Sequence, residues 1–138
     1  MTDPKLDEVR SWLIKAQQDL DASAWLLESP QALYGIAGFH CQQAAEKALK
    51  AYLTWHEQPF EKTHSLVALV GMCLKLSSSF DALRTATTSL TPFAVTTRYP
   101  GNIPAISAQE AREALDQARQ IWNFVLARLP KEIHITKR

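Results

Sequence analysis

Near the end of the chain Ala111, Ala114, Leu115, Ala118, Ile121, Trp122, Val125, Leu126 and Leu129 recur at intervals of three and four. At about 100° per residue they fall on one face of a helix. Ser107-Ala108-Gln109-Glu110 forms a capping box that opens this helix, and Pro130 limits its extent. A stripe this long and apolar must be covered by other elements, and the rest of the chain offers helices to do it.

Four more helices are legible. Asp3-Pro4 starts the first, which should run to about Glu28 with Val9, Trp12, Leu13, Ala16, Leu20, Ala24 and Leu27 inward, before Ser29-Pro30 stops it. The second should span Gln31 to His56 and end before Gln58-Pro59-Phe60. Thr63 can cap a third, His64 to Leu76, that buries Leu66, Leu69, Val70, Cys73 and Leu74; a weaker fourth should cover Phe80 to Leu90. With 138 residues, 46% of them hydrophobic, and four glycines, the chain suits one core-bearing helical domain. The expectation is an all-α, antiparallel up-and-down bundle of four to five helices over residues 1–130, with a flexible tail over 131–138.

Fifteen basic residues against fourteen acidic ones leave a formal charge of +1. No global field draws nucleic acid, so any such binding must rely on a local patch. Cys41 and Cys73 both fall in apolar stretches and read as buried free thiols of a reducing cytoplasm. The amino terminus has acidic residues and no apolar run, and no later stretch approaches the roughly 20 apolar residues of a membrane span, so a cytoplasmic protein is expected. His40, His56, His64 and His134 show no ligand spacing with either cysteine, which argues against a metal site. No cofactor is expected.

The second helix carries the functional signal. Cys41, Ala45, Ala48, Leu49 and Tyr52 share one side, while His40, Gln43, Glu46, Lys47 and Lys50 share the other. Gln43, Lys47 and Lys50 on an exposed ridge make either a compact anion site or a solvated face with Glu46 and Lys50 as an i, i+4 pair. Ile36 and Phe39 lie on the polar side, and Ile14 and Trp25 align opposite the core stripe of the first helix. These four are the candidate dimer or partner contacts. Between Pro92 and Pro104 runs the one substantial loop, where Arg98 and Tyr99 suit phosphate contact and base stacking.

Phe39-His40-Cys41-Gln42-Gln43-Ala44-Ala45-Glu46-Lys47-Ala48-Leu49-Lys50-Ala51-Tyr52-Leu53, followed by Thr63-His64-Ser65-Leu66 and then Arg98-Tyr99-Pro100-Gly101, resembles the HEPN (higher eukaryote and prokaryote nucleotide-binding) domain family. The resemblance covers nearly the whole chain in order and spacing. It implies an antiparallel helical bundle, usually a homodimer, often encoded beside a minimal nucleotidyltransferase as a toxin and antitoxin pair. Some members are metal-independent ribonucleases that use an arginine with a histidine a few residues downstream. Here the positions after Arg98 where that histidine would fall hold Ile103, Pro104 and Ala105. Arg128 and His134 match the spacing only formally, across Pro130 and in the tail. The resulting expectation is a non-catalytic protein that binds a nucleotide, an RNA-like ligand or a nucleotidyltransferase partner through Gln43, Lys47, Lys50, Arg98 and Tyr99. The alternatives are a ribonuclease toxin in which Arg98 works with His64, and a structural partner subunit.

Overall fold

A computed structural model describes residues 3–96 and 105–134. Five helices carry the fold, α1 (Pro4–Leu27), α2 (Tyr34–Trp55), α3 (Leu66–Leu76), α4 (Arg84–Leu90) and, after the four-residue α5 (Phe93–Thr96), α6 (Ala108–Leu126). There is no strand among the described residues. Along α1 and α2, Lys5 meets Trp55 and Ser23 meets Cys41, so the two helices run antiparallel. The first two-thirds of α6 (Arg112, Leu115, Asp116, Arg119) faces the end of α1 and its cap (Ala24, Leu27, Glu28), and Arg10 near the start of α1 reaches Glu132 beyond the end of α6, which makes that pair antiparallel too.

The core forms where the apolar stripes meet. Val9, Leu13 and Ala16 of α1, Cys41, Ala45, Ala48 and Leu49 of α2, and Ala118, Ile121 and Val125 of α6 are all fully buried. Alanines on α2 let its neighbours approach closely on both sides, which suits its position at the centre of the bundle. An aromatic stack closes one end. Phe80 lies 4.5 Å from Tyr52 and 5.0 Å, edge-on, from Phe124, spacings at which ring pairs attract.

Local chemistry moved several expected boundaries. The second helix starts at Tyr34 and not Gln31, because the Gln31 N–H bonds Ser29 Oγ at 3.1 Å and Leu33 N–H bonds the Gln31 carbonyl at 2.9 Å, closing a turn. Ser65, not Thr63, caps α3, its Oγ accepting from Ala68 N at 3.1 Å. Thr63 Oγ1 instead accepts from Ser65 N at 3.1 Å. The fourth helix divides into a 3-10 segment, Ser78–Leu83, and α4. The capping box of α6 is complete, with Glu110 N on Ser107 Oγ and Ser107 N on Glu110 Oε1, each at 3.1 Å.

The tail needs a correction over residues 131–134. Lys131–Ile133 form a 3-10 turn that buries Ile133 completely, and Arg10 of α1 donates to the Glu132 carbonyl. His134 Nε2 lies 2.7 Å from the Leu126 carbonyl and 3.1 Å from that of Leu129. Ile133 and Ile135, set among charged residues after Pro130, were too short a pattern to reveal this docking. Arg128 stacks on Phe124 and donates to Ser79 Oγ at 3.2 Å, so it too serves packing.

At the end of α2, Gln58 N–H bonds the Leu53 carbonyl at 2.9 Å and Glu57 N–H bonds Thr54 at 3.0 Å, a Schellman arrangement. It requires the left-handed conformation at Glu57, where φ is 53°. Glycine has no Cβ to strain there. Glu57→Gly should therefore stabilise the fold by about 0.5–1 kcal/mol, less the small contribution of the exposed bridge to Lys5, as read from urea denaturation midpoints.

Candidate functional site

The polar flank of α2 is built as two clamps. Asp19 of α1, 7% exposed, takes His40 Nδ1 on Oδ1 at 2.8 Å and Lys47 Nζ on Oδ2 at 2.6 Å. Glu46, 2% exposed, takes Lys50 Nζ at 3.1 Å and His64 Nδ1 at 3.1 Å. Each buried carboxylate thus receives one lysine and one imidazole, the compensation that burial of a charge demands. Helical spacing explains the arrangement: His40 and Lys47 lie two turns apart facing α1, while Glu46 and Lys50 lie one turn apart facing the segment that leads into α3.

Between the clamps runs a chain of amides. Gln43 Nε2 donates to Gln42 Oε1 at 2.7 Å, and Gln42 Nε2 donates to the His64 carbonyl at 3.1 Å. Gln42 is buried and Gln43 half-buried, so the inner amide orients the outer one. The His64 side chain remains 65% exposed, and its Nε2 has no hydrogen-bond partner among the described residues.

The expected exposed ridge of Gln43, Lys47 and Lys50 is corrected at its end. Lys50 is 7% exposed, and its ammonium lies 5.4 Å from the Trp12 ring and 5.7 Å from that of Phe60. Trp12 and Phe60 meet edge-on across it at 6.3 Å. The ordinary reading of Glu46 and Lys50 as an i, i+4 pair therefore describes the contact, although in the interior and not in water. Lys47 is partly exposed and paired with Asp19. Asp19 went unnoticed in the sequence. It stands seven residues after Trp12 on the same flank of α1, beside the core residue Leu20, and an acid at the margin of an apolar stripe is the signal that could have found it.

Ile14, Trp25 and Ile36 are 46%, 80% and 45% exposed, while Phe39 is half-buried beside the His40 ring. Arg98 and Tyr99 lie outside the described residues. The stem that leads to them is seated on the first half of α2, where the Phe93 ring of α5 covers Gly38. No group of three His, Cys, Asp or Glu able to hold a metal is found among the described residues. No described helix is long and apolar enough to cross a membrane.

The two thiols lie behind this face. Burial pushes Cys41 up to about 11, opposed by a 3.0 Å contact with Ser23 Oγ, and pushes Cys73 up to about 12. Folding therefore keeps protonated two groups that ionise near 9.0 when freed. Their stabilising effect is full below that pH and is lost as pH rises toward the folded values, by about 1.4 kcal/mol per thiol at about pH 10. Urea denaturation at mildly and strongly alkaline pH should show this slope, and Cys73→Ala should remove about half of it.

An all-α antiparallel bundle with a polar, doubly clamped central helix defines the class of protein. The HEPN domain model matches residues 9–132, and the chain belongs to the HEPN domain family, which is linked to nucleotide and RNA binding. The crystal structure of an archaeal HEPN homologue is similar in fold, with a TM-score of 0.72 and 24% identity over 88% of this chain and 97% of that one. Comparison with curated proteins gives no match.

Proposed function

We propose that this chain is a non-catalytic HEPN domain that binds a nucleotide or RNA-like ligand, or a minimal nucleotidyltransferase partner, on the polar face of α2. One observation carries the reading. Gln43, Lys47, His40 and His64 are gathered on a single face, and the segment bearing Arg98 and Tyr99 springs from a stem seated on the same helix. A homodimer through Ile14, Trp25, Ile36 and Phe39 completes the proposal, since aligned apolar side chains on a polar surface suit a second copy. Calorimetry with nucleotides and short RNA should show binding that Gln43→Ala weakens, and light scattering at micromolar concentration should give twice the chain mass. Absence of any nucleotide or RNA binding would leave only the role of partner subunit, and a monomer mass would remove the dimer.

The ribonuclease reading is favoured by one contact. Glu46 holds His64 by Nδ1 and leaves Nε2 toward solvent, an orientation suited to proton transfer. RNA cleavage by the purified protein, abolished by both Arg98→Ala and His64→Ala, would replace the binding reading with this one.

A further inference from the structure

The charges on the α2 face are already answered from within. Lys47 is held 2.6 Å from Asp19, and Lys50 is buried on Glu46 at 3.1 Å. Each ammonium is thus matched by a carboxylate within hydrogen-bond reach, so neither lysine stands free to draw a phosphate. What it does present is hydrogen-bonding capacity. The Gln43 amide spends one N–H on Gln42 and retains its carbonyl and a second N–H. That pairing of acceptor and donor complements the edge of a nucleobase. The Nε2 of His64 adds a further donor or acceptor at the other end of the Gln42 bridge.

Resting on the binding reading above, we infer that the α2 face recognises the uncharged base of its ligand and leaves the phosphate to other parts of the chain. The lysines are positioning groups here. They hold Asp19 and Glu46, which in turn hold His40 and His64.

Calorimetry on the full chain tests this with the four common ribonucleosides, their monophosphates and inorganic phosphate as probes, at low and moderate salt. A nucleoside should bind within about threefold of its monophosphate, with little salt dependence, and inorganic phosphate should not compete. Gln43→Ala and His64→Ala should each weaken the nucleoside at least about fivefold. Asp19→Asn, which unmasks Lys47, should raise the preference for the monophosphate about fivefold. Binding of monophosphates but not nucleosides, with competition by inorganic phosphate, would overturn the inference while leaving nucleotide binding in place. Binding of neither would overturn both. The comparison of wild-type affinities decides the matter even if a variant does not fold.

Discussion

Lys50→Ala is expected to destabilise the protein by about 3 kcal/mol in urea denaturation, the lower end of the range for breaking a buried ion pair. The substitution leaves Glu46, 2% exposed, with its charge answered only by His64 at 3.1 Å. It also removes the stem packed between Trp12 and Phe60, whose rings stand 5.4 Å and 5.7 Å from the ammonium. Lys50→Met separates the two losses by restoring the stem without the charge. If the unpaired carboxylate dominates, Lys50→Met should remain costly and the double variant Glu46→Gln with Lys50→Met should recover most of the stability. A loss below about 1 kcal/mol for Lys50→Ala would mean that the pair behaves as an exposed one and that its burial has been misjudged.

Gly38→Ala sets two effects against each other. Replacing a helical glycine by alanine ordinarily gains about 1 kcal/mol. Here the new Cβ would stand 2.2 Å from Cδ1 and 2.5 Å from Cε1 of Phe93, a ring only 8% exposed. Ring or helix must move, at up to about 3 kcal/mol, so the net expectation is a loss of about 2 kcal/mol. The cycle with Phe93→Ala checks the cause. With the ring gone, Gly38→Ala should become neutral or stabilising, and persistence of the full penalty would rule out the ring as its source.

The helices were legible because burial writes itself into period. The inward stripe of α6, from Ala111 to Val125, is buried as its spacing requires. The same rule misplaced Lys50 and Glu46. Helical angle says that a residue points away from one core, but not whether Trp12 from α1 and Phe60 from a loop close over it. Helix starts slipped by two or three residues where a serine or threonine had two backbone partners within reach, as at Ser29 and Ser65. Docking of Ile133 was invisible because so short a stretch carries no period.

The sequence by itself determined the class of the protein, its helix order and the two-sided character of α2, since these depend on local spacing and residue type. Only the tertiary structure decided which charges remain available. The partners of Lys47 and Lys50 are chosen by through-space contacts, Asp19 from 28 residues away and the rings of Trp12 and Phe60 from either side, and at these separations Coulomb attraction and desolvation depend on distance and burial, not on order along the chain.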